Sequence, residues 1–178
     1  MTEQQRRFGK IGLIAATVIA VIVLFAPLPV DIRTRIHKTV TIDRPPAMVF
    51  DYVTTPRNWP AWHPSSLEVR GATNHSALPG ERIEEAFVVA GFRGRVEWTV
   101  LIREVPHRWV IDGTLANGGG GRISYALTAA GLGTHFEREF VYLAPNLLFV
   151  ILDGLFIRDR VDGESAEALK RLKAVLEN

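Results

Sequence analysis

An α+β fold is predicted for this chain, with one antiparallel sheet of about seven strands, a long C-terminal helix covering it, and an apolar N-terminal helix. Three features of the 178-residue sequence lead there. Residues 67–143 alternate apolar and polar side chains in stretches separated by Gly, Pro or Asn. Residues 145–178 repeat leucines at helical spacing. Residues 11–26, IGLIAATVIAVIVLFA, carry no charge.

Composition bounds the function classes. With 47% hydrophobic and 22% charged residues, the chain is one globular domain with additional apolar sequence at its start. The formal charge is only +2, and the basic residues are scattered among acids, which excludes a polyanion footprint and argues against nucleic-acid binding. Without cysteine there is neither a disulfide framework nor a thiolate ligand or nucleophile.

The uncharged run follows Arg6, Arg7 and Lys10, and with its flanks approaches the ~20 residues that cross a bilayer. Ala26 is followed by Pro27, a poor context for signal cleavage. Residues 1–30 are therefore expected to form an uncleaved transmembrane anchor, residues 31–35 a linker, and residues 36–178 the folded domain. The basic N-terminus favours a single pass through the cytoplasmic membrane with the domain on its outer face, although Arg33, Arg35 and Lys38 oppose that bias.

Pro27 and Pro29 end the first helix, and His37–Asp43 alternates as a strand. Pro45 and Pro46 open a helix in which Met48, Val49, Tyr52 and Val53 recur at helical spacing until Pro56. A loop with two tryptophans follows, Asn58-Trp-Pro-Ala-Trp-His-Pro64. Turns are then expected at 78–80, 90–91, 105–107, 117–121 and 130–133. Between them one sheet face carries Ile83, Phe87, Val96, Trp98, Val100, Ile102, Trp109, Ile111, Leu115, Ile123, Tyr125, Leu127, Phe136, Phe140 and Tyr142. The other carries Arg82, Glu84, Arg95, Glu97, Asp112, Ser124, Thr128, Glu137 and Glu139, so one face is dry and one wet. Leu148, Leu152, Leu155, Ala166, Leu169, Leu172 and Leu176 give the closing helix its apolar stripe, with a kink expected at Gly154.

The stretch Thr39-Val-Thr-Ile-Asp-Arg-Pro-Pro-Ala-Met-Val-Phe50, the tryptophan loop and the order of elements resemble the polyketide cyclase/dehydrase branch of the START-like, helix-grip superfamily (SRPBCC). The resemblance runs from about Ile36 to the C-terminus by element order, and only its opening is motif-like. It implies a curved sheet gripping the C-terminal helix around an apolar cavity. Members bind lipids, sterols, polyketides and other hydrophobic molecules, and some are enzymes. The resemblance carries no catalytic residue onto this chain.

Candidate ligand-binding residues are those of the dry face, the tryptophan loop and the apolar half of the helix: Trp59, Trp62, Phe87, Trp98, Trp109, Tyr125, Phe136, Phe140, Leu148, Leu152 and Leu155. Core packing is the competing role for both loop tryptophans. Glu85 and Arg138 are polar exceptions on the dry face; they could pair with each other, hold a ligand's polar end, or reach water at strand ends.

Nothing suggests a cofactor. His37, His63, His75, His107 and His135 form no metal-ligand pair, the glycines at 118–121 read as a turn, and no Gly-x-Ser-x-Gly elbow is present. The leading expectation is a membrane-tethered domain that binds or carries a hydrophobic small molecule or lipid. The alternatives are a cyclase, dehydratase or hydrolase acting in the same cavity, with Arg138 and Glu85, or Asp112, in its chemistry, and a protein-interaction module at the membrane.

Overall fold

The computed structural model describes residues 3–116 and 119–178, with side chains from residue 12 onward. Helix α1 (Glu3–Phe25) precedes strand β1 (Arg33–Ile42), helix α2 (Pro46–Thr54), a 3-10 turn (Pro56–Asn58) and the short helix α3 (Trp59–Trp62). Strands β2 (Ser66–Gly71), β3 (Arg82–Val89), β4 (Phe92–Glu104), β5 (Arg108–Leu115), β6 (Gly120–Ala130) and β7 (Gly133–Leu143) follow. The chain closes with α4 (Leu147–Leu152), a wide π-helical turn (Asp153–Ile157) and α5 (Arg158–Glu177).

All seven strands form one antiparallel sheet in the order β1-β7-β6-β5-β4-β3-β2. Turns of two or three residues join β3 to β4, β4 to β5 and β6 to β7, and at Ala90-Gly91 both residues have positive φ, the primed geometry whose twist suits a hairpin. Asn117 and Gly118 of the expected fourth turn lie outside the described residues. Alternation along the strands sends Ile83, Val96, Trp98, Ile111, Ile123, Tyr125 and Phe136 into the core, with Arg82, Glu84, Arg95 and Glu97 at the surface.

Four expectations are corrected. Ile102 leaves the dry face because a bulge between Val100 and Ile102 inserts a residue and pairs Ile102 with Val110 instead of prolonging the Val100–Ile111 row. β1 begins at Arg33 rather than His37 and takes in most of the expected linker, Thr34 and Ile36 being buried. The tryptophan segment is a helical turn rather than a loop, with Pro60 in its first turn where a missing N–H costs nothing. At the C-terminus, Ala166 is exposed and the buried stripe of α5 is Val161, Ser165, Ala168, Leu169 and Leu172.

The transmembrane span is also unsupported: among the described residues, no helix is long and apolar enough to cross a membrane. Helix α1 packs near α4, Pro27 bridges to Asn146, and Leu13, Ile14, Ile19 and Ile22 stand exposed.

Two apolar clusters form between the sheet and the C-terminal helix. The larger gathers α2, α3, the sheet centre and Ala168, Leu169 and Leu172. The smaller holds Ile36, Tyr142, Ile157 and Val161. The candidate site lies between them.

Candidate functional site

The space between the clusters is a cavity of about 570 Å³, within the range of sites for small organic ligands. Its walls are mostly apolar: Trp59 and Trp62 from α3, Phe87, Val96, Trp98, Ile111, Ile123 and Phe140 from the sheet, and Ile157 and Val161 from the helical side. Glycines in the strands leave room for the rings. A Cβ at Gly113 would lie 2.5 Å from the Trp98 ring, and one at Gly94 would lie 2.6 Å from that of Phe87, each across the strand pair. The aromatic rings therefore lie against bare backbone.

The cavity also holds a group of polar side chains. Arg138, 4% exposed on β7, donates from Nη1 to the Ser165 Oγ of α5 at 3.3 Å, and its guanidinium carbon sits 5.7 Å from the Phe140 ring centroid. Its Nε–H has no hydrogen-bond partner among the described residues. Glu85 on β3 accepts a 2.7 Å bond from Trp98 Nε1. Burial pushes the Glu85 carboxyl up, and the Trp98 bond and the Arg138 charge only partly offset that. Tyr125, the cross-strand neighbour of Arg138, is pushed up by burial to about 12, against the pull of Arg138.

His63 follows α3 and lies against Trp62, ring centroids 5.5 Å apart. The Ser65 backbone N–H donates to its Nδ1 at 3.3 Å, so the proton of the neutral ring resides on Nε2, which has no partner among the described residues. Burial, then the charges of Arg138 and Arg171, holds its pKa well below the ordinary value of 6.5. Ser65 Oγ in turn donates to Glu164 at 2.8 Å, whose other oxygen accepts from the Ala90 backbone.

The neutral His63 has a consequence for stability. Its folded pKa is depressed, so below about pH 6.5 the unfolded chain takes up a proton that the folded chain refuses. The stabilisation is complete above that pH and is lost on acidification, by at most about 1.4 kcal/mol per pH unit. Chemical unfolding at pH 7 and pH 5 should show wild type losing more stability than His63→Gln. Equal losses would mean that the ring protonates freely in the folded protein.

Of the residues named from sequence, Trp59, Trp62, Glu85, Phe87, Trp98, Tyr125, Arg138 and Phe140 line this one cavity. Trp109 and Phe136 lie outside its lining, both 0% exposed: Trp109 stacks on Tyr125 with centroids 5.4 Å apart, and Phe136 meets the edge of the same ring at 5.2 Å. Leu148 and Leu152 border a separate recess of about 200 Å³ with Phe92 and Phe149. Leu155 is 70% exposed, because the π-helical turn carries it to the outer side. Asp112 is held by Arg122 through two bonds of 2.6 and 2.7 Å on the wet face, away from the cavity. His63, Ser65, Glu164 and Ser165 enter the lining without having been singled out as ligand residues.

Solved structures share this architecture. A protein from Thermus thermophilus is 14% identical with a TM-score of 0.67, over 80% of this chain and 97% of that one. A point mutant of norcoclaurine synthase from Thalictrum flavum, in complex with a transition-state analogue, is 13% identical with a TM-score of 0.61, over 84% and 97%. A protein from Mesorhizobium loti is 16% identical with a TM-score of 0.60, over 80% and 96%. At such identities the likeness concerns the fold. No curated protein matches the sequence. Residues 33–177, from the first strand through the C-terminal helix, match the family described as polyketide cyclase/dehydrase and lipid transport, and the chain belongs to that family.

Proposed function

We propose that this protein binds or carries a hydrophobic small molecule or lipid between its sheet and its C-terminal helix. One observation carries the reading: a cavity of about 570 Å³, walled by indole, phenyl and aliphatic groups, with a few polar groups gathered within it. Burial of apolar ligand surface against such walls contributes roughly 25 cal/mol per Å² before the costs of association, enough for useful affinity without any covalent step.

Trp59, Trp62 and Trp98 all border the cavity and serve as reporters. Titration of delipidated protein with fatty acids, sterols and aromatic polyketides should shift indole emission for at least one class. Flat titrations with every class would count against the reading.

A cyclase- or dehydratase-type reaction in the same cavity is the second reading, favoured by one observation. Glu85 is a buried carboxyl whose pKa is raised, and it shares the cavity with a guanidinium, a pairing suited to proton transfer beside a stabilised oxyanion. Mass spectrometry of the ligand after incubation distinguishes the two. An unchanged mass is expected for carriage, whereas conversion abolished by Glu85→Gln would establish the enzyme.

We further propose that α1 tethers the domain to a membrane. Leu13, Ile14, Val18, Ile19, Ile22 and Phe25 leave apolar surface exposed on several sides, which water does not favour. Full-length protein should float with phospholipid vesicles, and a chain starting at residue 27 should not. Equal flotation of the two would remove α1 from that role.

A further inference from the structure

The polar atoms of the cavity are unequally paired, and the imbalance points to the ligand's chemistry. Three buried nitrogens of lining residues have no hydrogen-bond partner among the described residues: Trp62 Nε1, His63 Nε2 and Arg138 Nε. The indole and guanidinium nitrogens are obligate donors, and His63 Nε2 becomes one because Nδ1 already accepts from Ser65. Buried N–H groups without acceptors are unfavourable, so a group rich in acceptors is favoured beside them.

Charge points the same way. Arg138 is 4% exposed and, among the described residues, forms no ion pair with any carboxylate; its Nη1 donates to a serine hydroxyl. A buried cation of that kind favours an anion. Of the two acids in the lining, Glu164 has both oxygens engaged by Ser65 and Ala90, and Glu85 accepts from Trp98. Burial also raises the Glu85 pKa toward the neutral form, which lowers repulsion of an incoming anion.

We infer that the ligand is an apolar monocarboxylic acid whose two carboxylate oxygens are received by the N–H groups of Arg138, Trp62 and His63, with its hydrocarbon part against Trp98, Phe87 and Ile123. The planar fork of arginine matches the two oxygens of a carboxylate, and the neighbouring single donors add directional bonds. This rests on the proposal that the cavity binds a hydrophobic molecule and narrows it to one headgroup.

The test compares three probes with the same chain by calorimetry on delipidated full-length protein at pH 7: dodecanoate, its methyl ester and dodecanol. Dodecanoate should bind at least tenfold more tightly than either neutral probe. Arg138→Met should abolish that preference while the ester binds as before, which also shows that the variant is folded. Trp62→Phe, which keeps a ring and loses one donor, should narrow the preference several-fold and serves if Arg138→Met does not fold. Equal affinity of wild type for acid and ester would overturn the carboxylate assignment and leave the cavity reading standing. Failure of all three probes to bind would also overturn the carboxylate assignment, and the sterol and polyketide titrations would then decide the cavity reading on their own.

Discussion

Trp109→Ala should destabilise the protein by about 3–5 kcal/mol, the range for emptying a buried aromatic site. Several contacts fail together. Trp109 is 0% exposed, stacks on Tyr125 with 24° between the planes, and meets Trp59 edge-on at 6.2 Å. Its Nε1 donates to the Ala77 carbonyl at 3.2 Å, so truncation leaves that oxygen buried without its donor. Because Tyr125 and Trp59 line the cavity while Trp109 stands behind them, the loss acts on the walls from the rear. Against a domain stability of roughly 5–15 kcal/mol, the variant would be marginal at physiological temperature. Urea unfolding gives the number directly. Trp109→Phe, which keeps a ring and drops the hydrogen bond, should cost clearly less. A Trp109→Ala midpoint close to wild type would mean that the tyrosine and the second indole repack without it.

Asp153→Ala is expected to cost about 2–4 kcal/mol, from two hydroxyls left without their acceptor. Asp153 Oδ2 accepts from Thr34 Oγ1 at 2.7 Å, and Oδ1 accepts from the Tyr142 hydroxyl at 2.5 Å. One carboxylate thus joins β1, β7 and the helical side, all three residues being buried. Burial, reinforced by the bond to Asp153, raises the Tyr142 pKa, so the hydroxyl remains the donor throughout the ordinary pH range. Removing donor and acceptor together is cheaper than removing one, so Asp153→Ala with Tyr142→Phe should lose less than the sum of the single changes. Strict additivity in a double-mutant cycle would show that the two groups do not interact.

Strand parity explains what could be read in advance. Glu85 and Arg138 fall on the inner face because they stand two residues from Ile83, Phe87, Phe136 and Phe140, and period-2 geometry requires the shared side. Parity says nothing of depth, so Trp109 and Phe136 could not be told from true lining residues: all point inward, and only the position of the helix decides which meet open space. A bulge resets parity, and residues 100–102 (Val-Leu-Ile) contain no glycine to announce one, so simple alternation puts Ile102 on the wrong face. His63 is not legible as a ligand residue because its direction depends on the helical turn at 59–62, where Pro60 and the later Pro64 suggest a loop. The unpaired donors arise only when α3, β7 and α5 meet.

The wide turn at 153–157 has a consequence for helical phase. Phe149, Asp153, Ile157, Val161 and Ser165 succeed one another every fourth residue on the side facing the sheet or cavity. In a uniform α-helix each such step advances by roughly 40°, so four steps would drift by roughly 160° and carry one end of the row to the opposite side. A π-helical turn absorbs one additional residue, which sets the row back by roughly 100°. The drift falls to roughly 60°, small enough for a single curved sheet to meet the row along its whole length. Leu155 and Phe156, 70% and 41% exposed, are the residues displaced outward by that correction.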